Sequence, residues 1–377
     1  MTQPPSAIRA VVVGAGAIAT GSHLPALAAV GDRVAVEAIV DVDAERVEKA
    51  ATAWGIPRQY RDLHRMLDEV APDLVVVCTP PTAHRDAVIA SLDKGAWVWC
   101  EKPPTLSLAE FDEVVGHEGD GGPYAAYVFQ HRFGSAARHL RALVGEGALG
   151  APRVAICNTL WYRDAGYFAV PWRGTWAGEG GGPTMGHGIH QMDLLLHVLG
   201  DWSRVQALMA TSARVTETED VSLATVALVS GAVVSITNSL LSPRETSYLR
   251  FDFDDATVEV EHLYGYDNSH WRWTPAPHVT DAARIASWAP PGAVGSSHRA
   301  QLESLLDSME KRERPVASGA DGRRVLQLAA GMYRSAFTGE PVLRSDVGPG
   351  DPFYATMSGG DLERARRVLT RTRTAPG

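Results

Sequence analysis

The residues whose types and spacing best suit chemistry lie in Glu179–Asp193, which has the sequence EGGGPTMGHGIHQMD. Three glycines and a proline precede His187, His190 and Asp193, which follow one another at three-residue steps. Positions three apart share a face of a helix, so a helix that begins near Pro183–Met185 would bring these three side chains together. An imidazole titrates near neutral pH and can accept a proton during a reaction. The same imidazole and carboxylate groups would also suit a zinc ion.

A lysine in the first third of the chain directly follows a predicted strand. The apolar segment Trp97–Cys100 (WVWC) predicts a buried strand, and it runs into Glu101, Lys102 and Pro103. In parallel sheets, ligands bind beyond the carboxyl ends of the strands. Lys102 could therefore hydrogen-bond a substrate hydroxyl. The alternative is a surface lysine with no role.

A glycine-rich turn near the N-terminus predicts a dinucleotide site. The β-branched run Ile8–Val13 is followed at once by GAGAIA, a G-x-G-x-x-A pattern between a strand and a helix. The next strand, Val34–Val40, ends at Asp41, whose carboxylate would accept from a ribose 2′-hydroxyl and repel a 2′-phosphate. NAD is therefore favoured over NADP, and a strand–helix turn without a ligand is the alternative. The residues predicted to bind the cofactor here are Gly14, Gly16, Ala17, Ile18, Ala19 and Asp41.

Strands and helices alternate through the first 123 residues. Further helices are predicted at Ala44–Trp54, Leu63–Val70 and His84–Lys94, with a strand at Leu74–Cys78. Repeated βα units with right-handed crossovers form a doubly wound parallel sheet. The sequence therefore predicts an α/β protein with a Rossmann domain over residues 1–123, ending near the GDGGP segment.

Composition restricts the class of protein and its partners. Of the 377 residues 45% are hydrophobic, enough for sizeable cores, and the net charge of −9 argues against nucleic-acid or anionic-membrane partners. The three cysteines lack metal spacing and suit a reducing compartment. The N-terminus lacks an apolar signal core, and no apolar run reaches 18 residues. These features predict a soluble, cytoplasmic protein.

One long segment resembles a known family. CTPPTAHRDAVIASLDKGAWVWCEKP, residues 78–103, is similar to the segment ending in the Glu-Lys-Pro motif of the glucose–fructose oxidoreductase / inositol dehydrogenase / MocA (Gfo/Idh/MocA) family. Its members are NAD(P)-dependent oxidoreductases with a Rossmann domain followed by an α+β domain that carries an open, mainly antiparallel sheet. The resemblance implies that Lys102 lies beside the reacting hydroxyl and that the Lys102–Pro103 bond is cis. It adds to the cofactor site Thr79, Pro80, His84, Glu101 and Lys102.

The segment Tyr162–Gly200 resembles family members that act on sugars and nucleotide-linked sugars. The elements WRGTW, GGG and GIHQMDLL occur in matching order. The family's catalytic histidine precedes xx-Asp, and that position is His190. Many members carry aspartate, and others asparagine, where this chain has Gly186. His187 next to it could line the pocket in place of that carboxylate.

An irregular aromatic stretch, Tyr162–Trp176, precedes these glycines. Aromatic rings with interspersed polar groups suit a polyhydroxylated ligand, and they equally suit a packed loop or a subunit interface. Asp193 could support His190 or pair with another group. The residues predicted to bind substrate are Arg163, Trp172, Arg173, His187 and Asp193.

The rest of the chain predicts a second domain over residues 124–345 and a tail over 346–377. Strands with period-2 patterning are predicted at Val205–Ser212, Val221–Val229, Val233–Ser239, Ser247–Asp252 and Thr257–Glu261, and Gly265–Gly295 is predicted to be a long excursion. Such a sheet could cover that of a partner subunit, which predicts a homodimer or homotetramer. The tail arginines predict a solvated helix face. They are Arg364, Arg366, Arg367, Arg371 and Arg373.

These features together predict reversible hydride transfer between nicotinamide and a secondary alcohol carbon of a sugar, sugar derivative or cyclitol. His190 would be the acid/base and Lys102 would steady the reacting oxygen. Three alternatives remain: a zinc site on His187, His190, Asp193 and His197, which lacks the H-E-x-x-H pattern; a non-catalytic NAD-binding sensor; and non-redox use of tightly bound NAD.

Overall fold

The computed structural model describes residues 7–370, and these fold into two compact units. One unit comprises residues 7–105, 110–128 and 298–322, and the other comprises 106–109, 129–297 and 323–370. Within this described range, no helix has the length and apolar character needed to cross a membrane. The predicted boundaries 1–123, 124–345 and 346–377 remain predictions.

The first unit contains a six-stranded parallel sheet in the order β3-β2-β1-β4-β5-β6. This is the strand order of a dinucleotide-binding Rossmann fold, whose switch point lies between β1 and β4. Its strands are β1 (Ile8–Val13), β2 (Val34–Val40), β3 (Arg58–Tyr60), β4 (Leu74–Val77), β5 (Trp97–Cys100) and β6 (Ala125–Tyr127). Its helices are α1 (Leu24–Ala29), preceded by a π-helical turn at Ala19–His23, α2 (Ala44–Trp54), α3 (Leu63–Val70), α4 (His84–Asp93) and α11 (His298–Lys311). Two helices continue from one unit into the other, α5 (Leu108–Gly116) and α12 (Gly319–Thr338).

Local sequence signals define several of these elements. The valines of β4 are completely buried, as expected for a central parallel strand. The Asp43 carboxylate accepts from the first-turn amides of α2, and Gly55 ends that helix with a φ of +66°. The Asp62 side chain caps α3 in the same way. The alternating β/α pattern predicted from the sequence is therefore confirmed.

The second unit contains an eight-stranded sheet in the order β13-β12-β11-β7-β10-β9-β8-β14. Only the β10–β7 pair is parallel among the paired strands described, so the sheet is mainly antiparallel, as predicted. Its strands are β7 (Pro152–Tyr162), β8 (Trp202–Ala210), β9 (Val221–Leu228), β10 (Val233–Ser239), β11 (Leu241–Phe253), β12 (Ala256–His262), β13 (Trp271–Pro275) and β14 (Val342–Leu343). Its helices are α6 (Ser135–Gly145), α7 (Trp176–Glu179), α8 (Pro183–Gly186), α9 (Ile189–Leu199), α10 (Ala282–Ser287), α13 (Pro352–Ala355) and α14 (Leu362–Thr370).

The prediction of one helix running from Pro183 through Asp193 is wrong. Helix α8 ends at Gly186, His187 leaves the helical conformation with φ −129°, and α9 begins at Ile189. Gly188, between the two helices, packs so closely on the Asn238 side chain that a Cβ would overlap it. His187 therefore does not share a helix face with His190.

Two other predictions change in detail. The segment predicted as a long excursion, Gly265–Gly295, contains strand β13 and helix α10. The tail forms α13 and α14 within the described residues, and the side chains of Arg364, Arg366 and Arg367 are exposed on α14 as predicted. Arg371 and Arg373 lie outside the described residues.

Candidate active site

The turn after β1 has the geometry of a dinucleotide-binding loop. Gly14 has a φ of +97°, and a Cβ there would lie 2.9 Å from the carbonyl carbon of Cys78, so only glycine fits. Its amide donates to the Val40 carbonyl at 2.7 Å. At Gly16 a Cβ would meet nothing within 4 Å, so this backbone faces open space. Ala19 is fully buried where the helical turn packs on the sheet.

Asp41 is bound to this loop. One carboxylate oxygen accepts from the Ala15 amide at 2.7 Å, and the other accepts from the Asp43 amide at 3.0 Å. The carboxylate is therefore fixed beside the glycine-rich turn, where the sequence predicts a ribose acceptor. The predicted cofactor residues Ala17 and Ile18 are exposed on the same turn.

His84 connects the segments that follow β4 and β5. Its Nδ1 lies 2.8 Å from the Pro103 carbonyl oxygen and its Nε2 lies 2.9 Å from that of Thr79. Burial lowers the pKa of His84, so the ring is neutral and donates to one of the two carbonyls. The Lys102–Pro103 bond is cis, as the resemblance implied.

These residues fit a bound dinucleotide. The Thr79 hydroxyl is buried and has no hydrogen-bond partner among residues 7–370, so it can bond a ligand. The open backbone at Gly16 allows close approach of a pyrophosphate. Asp41 supplies a fixed carboxylate at the same loop. Pro80, another predicted cofactor residue, is exposed next to Thr79.

In the second unit His190 lies in the first turn of α9, in a cluster of aromatic rings. It is 2% exposed, and its ring centre lies 5.3 Å from that of His131 and 5.6 Å from that of Tyr264. Tyr264 is 39% exposed, so this aromatic cluster reaches the surface of the unit. An imidazole that aromatic rings shield from bulk solvent can exchange a proton with a bound ligand.

Asp193, one turn further along α9, forms a buried ion pair with Arg132. The Arg132 Nε lies 2.6 Å from one carboxylate oxygen, and a second guanidinium nitrogen bonds the other oxygen. Both side chains are almost completely buried. Two parallel bonds of this kind are strong and directional, so they fix the orientation of α9.

His187 joins a polar cluster centred on Tyr167. Its Nε2 lies 3.4 Å from the Tyr167 hydroxyl, to which Arg173 also donates. Burial raises the pKa of Tyr167 to about 12, so the hydroxyl stays protonated. The Arg163 guanidinium lies over the Trp161 ring at 4.9 Å and pairs with Glu245 at 2.9 Å.

The structure thus brings together four of the predicted substrate residues. Arg163, Arg173 and His187 surround Tyr167, and Arg173 also lies over the Trp172 ring at 4.5 Å. The fifth residue, Asp193, pairs with Arg132.

Glu179 places a buried carboxylate beside Gly186. A Cβ on Gly186 would lie 3.7 Å from one Glu179 oxygen, which is also 3.6 Å from Arg173. The other oxygen accepts from the Gly174 amide at 2.5 Å. The carboxylate is only slightly exposed and is held from two sides.

A second buried carboxylate, Glu219, fixes the start of α8. It accepts from the amides of Gly182 at 3.0 Å and Thr184 at 3.1 Å, and from the Tyr333 hydroxyl at 2.8 Å. Burial raises the pKa of Glu219 although these hydrogen bonds oppose the shift. Cβ atoms at Gly181 and Gly182 would overlap Tyr333 and Glu219, which explains the run of glycines.

Sequence reasoning missed Tyr167, Glu179, Glu219 and Tyr264. Tyr167 and Glu179 lie inside Tyr162–Trp176 and Glu179–Asp193, the segments already predicted to carry site residues. Their polar side chains were the signal that could have identified them. Glu219 and Tyr264 lie in loops further along the chain, and their local sequence carries no such signal.

Comparison with known proteins agrees with this geometry. Residues 8–122 match the oxidoreductase family with an NAD-binding Rossmann fold, and residues 137–261 match the GFO/IDH/MocA C-terminal domain. Together these matches cover more than half of the chain. The chain belongs to the Gfo/Idh/MocA family. It is an NAD-binding oxidoreductase of the sugar and cyclitol dehydrogenase type.

Relatives of this Gfo/Idh/MocA protein match over most of their length. It is 27% identical to the D-glucoside 3-dehydrogenase of Escherichia coli (strain K12), with 91% of this chain and 98% of that protein covered. It is 28% identical to the myo-inositol 2-dehydrogenase of Thermotoga maritima, with 87% of this chain and 96% of that protein covered. The crystal structure of the WlbA dehydrogenase from Bordetella pertussis, in complex with NADH and UDP-GlcNAcA, superposes with a TM-score of 0.77 at 26% identity. That match covers 89% of this chain and 98% of the other.

Proposed function

We propose that this protein transfers a hydride between NAD and a secondary alcohol carbon of a sugar, sugar derivative or cyclitol. The observation that carries the proposal is the buried His190, held in a ring of aromatic side chains in a chain that also has a dinucleotide-binding loop. When bound, nicotinamide supplies the carbon that accepts or donates the hydride. The acid–base chemistry falls to the side chains.

His190 is the proposed acid/base. As the alcohol carbon loses hydride, the hydroxyl proton must also leave, and a neutral imidazole is a suitable acceptor. The Asp193–Arg132 pair supports this role by fixing the helix that carries His190. Lys102 is proposed to donate a hydrogen bond to the reacting oxygen and to stabilise its developing negative charge.

The polar cluster around Tyr167 is proposed to bind the other hydroxyls of the substrate. Trp161 and Trp172 offer aromatic faces to C–H groups, while Arg163, Arg173 and His187 offer hydrogen bonds. Glu179 is proposed to supply the carboxylate that many relatives carry at the position of Gly186, since its oxygen lies beside that position. Relatives that act on glucosides and on inositol support this class of substrate.

The proposed cofactor is NAD rather than NADP. The Asp41 carboxylate is fixed by two backbone amides and cannot easily turn away from a 2′-substituent. A carboxylate there accepts from a hydroxyl and repels a phosphate. The bound NADH in the WlbA dehydrogenase is consistent with this preference.

The experiment that tests the proposed function is a substrate panel. Reduction of NAD and of NADP is followed at 340 nm with glucosides, free sugars, inositols, sugar acids and nucleotide sugars. Turnover with at least one polyol and NAD is expected. NADH binding without turnover on any panel member, in either direction, would instead assign a non-catalytic NAD-binding role.

A further inference from the structure

Three residues from distant parts of the chain meet in the core of the first unit. Glu101 lies at the end of β5 and is 6% exposed. Its Oε1 accepts from His23 Nε2 at 2.8 Å, and His298 Nε2 lies 3.5 Å from the same oxygen. The other oxygen, Oε2, accepts from the backbone amide of Lys102 at 3.2 Å. One buried carboxylate therefore contacts two imidazoles and the amide of the proposed catalytic lysine.

The two histidines come from different elements of the first unit. His23 ends the π-helical turn that follows the glycine-rich loop, and His298 is the first residue of α11. The Trp99 ring packs against both imidazoles, with ring centres 4.4 Å from His23 and 6.0 Å from His298. The cluster thus links the dinucleotide loop, the end of β5 and α11 through one carboxylate.

The charges in this cluster are set by burial and by hydrogen bonding. Burial alone would raise the pKa of Glu101, but the hydrogen bonds and charges of His23 and His298 hold it well below its usual range. Burial lowers the pKa of His23, and the hydrogen bond and charge of Glu101 oppose that shift. A buried carboxylate that loses its donors is costly, because it must move, protonate or admit water.

We propose that His23 and His298 are positioning residues for hydride transfer. They fix the Glu101 carboxylate, which in turn fixes the backbone of Lys102 and so aligns its ammonium group. This inference rests on the role proposed above for Lys102. Neither histidine needs to touch substrate, and both act through Glu101.

A metal site on the same three residues is the competing interpretation, since their ligand atoms lie within 4.8 Å of one another. Two ligands on a tetrahedral zinc, each about 2.1 Å from the ion, stand about 3.4 Å apart. The 2.8 Å between His23 Nε2 and Glu101 Oε1 is instead the length of a direct hydrogen bond. The geometry therefore favours a hydrogen-bonded cluster.

A double-mutant cycle tests whether His23 acts through Lys102. His23→Leu removes the donor, and His23→Gln retains a nitrogen donor as the matched control. We expect His23→Leu to lower kcat about tenfold or more, because small misplacements of a catalytic group are costly. His23→Gln should recover most of this loss. In a Lys102→Ala background, His23→Leu should change kcat less than about twofold, since coupled residues are non-additive.

A second measurement reports on Lys102 without turnover. The chain has only four lysines, Lys49, Lys94, Lys102 and Lys311, so reductive ¹³C-methylation gives few resonances, and Lys102→Arg assigns the relevant one. In the cofactor-free protein, His23→Leu and His298→Leu should shift the Lys102 resonance and leave the other three unchanged. His23→Gln should leave all four near their wild-type positions.

The outcomes separate this inference from the proposed function. If Lys102→Ala and His190→Ala strongly lower kcat while His23→Leu and His298→Leu leave kcat and the Lys102 resonance unchanged, the positioning role is overturned and the proposed function stands. If wild-type protein turns over no alcohol, the proposed function fails, and the Lys102 resonance alone then tests the coupling of His23 to Lys102. A stoichiometric metal in purified protein, lost in His23→Leu, would replace the positioning role with a metal site.

Discussion

Single carboxylate side chains in each of the two units are fixed by burial and by directed hydrogen bonds. Asp41, Glu101, Asp193 and Glu219 each accept at least two such bonds, from backbone amides, from side chains or from both. A carboxylate held in this way keeps its position. The functional consequences therefore depend on particular atoms, and isosteric substitutions can test them.

Asp41 should determine the choice between NAD and NADP. Asp41→Asn keeps one oxygen acceptor for the loop amides, replaces the other oxygen with an NH2 group and removes the negative charge. The ratio of kcat/KM for NAD over NADP should fall about tenfold or more, because the repulsion of a 2′-phosphate is lost. Steady-state kinetics with both cofactors checks this.

The neighbouring carboxylate provides the matched control. Asp43→Asn also keeps the N-cap of α2, since asparagine is a good capping residue. It should leave the cofactor ratio within about threefold. An unchanged ratio in Asp41→Asn, or an equal change in both variants, would contradict the assignment.

At the scale of elements, the break between α8 and α9 determines the positions of His187 and His190. The short helix α8 is fixed by Glu219, and Gly188, which directly precedes α9, is packed on Asn238. The break therefore depends on contacts with the loop before β9 and with β10.

Two glycines of this segment differ in the space around them. Gly182→Ala would force a Cβ into Glu219, and we expect a loss of about 2–4 kcal/mol in the free energy of unfolding. Gly186→Ala, the control, meets its nearest atom at 3.7 Å and should change that free energy by less than about 1 kcal/mol. Urea denaturation measures both. Equal stabilities of the two variants would rule out the proposed packing.

The sequence predicted elements better than their junctions. The spacing of apolar residues in the strands and helices of the first unit is a local property. Gly14 directly follows β1 and Asp41 directly follows β2. These features were therefore predictable from the sequence. The helix break at His187 was not predictable from the local sequence, because contacts with Asn238 and Glu219 impose it. The contacts of Glu101 were hidden for the same reason: His298 lies almost 200 positions away in the chain.

At the scale of the second unit, one face of the eight-stranded sheet is open and partly apolar. Leu208 and Leu223 lie opposite each other on β8 and β9 and are 57% and 43% exposed. Val154 and Val233 lie opposite each other on β7 and β10 and are similarly exposed. Exposed apolar side chains on a sheet face are a common feature of interfaces. We infer that a second copy of the chain covers it.

Light scattering after gel filtration tests this assembly. Wild-type protein at micromolar concentration should be a dimer or tetramer, and the double variant Leu208→Lys/Leu223→Lys should shift to smaller species. Val215→Lys, which changes a valine that is 95% exposed outside the sheet strands, should keep the wild-type mass. A monomeric wild-type protein would contradict the inferred interface.

The proton-transfer role of His190 is tested most directly by the kcat of His190→Ala, measured with NAD and the best alcohol of the panel. The removal of an acid/base residue should lower kcat about 10²–10⁴-fold. The dissociation constant of NADH, followed by fluorescence, should stay within about threefold of wild type, because the dinucleotide loop lies in the other unit. Turnover near the wild-type rate in a folded, NADH-binding His190→Ala protein would contradict the proposed mechanism.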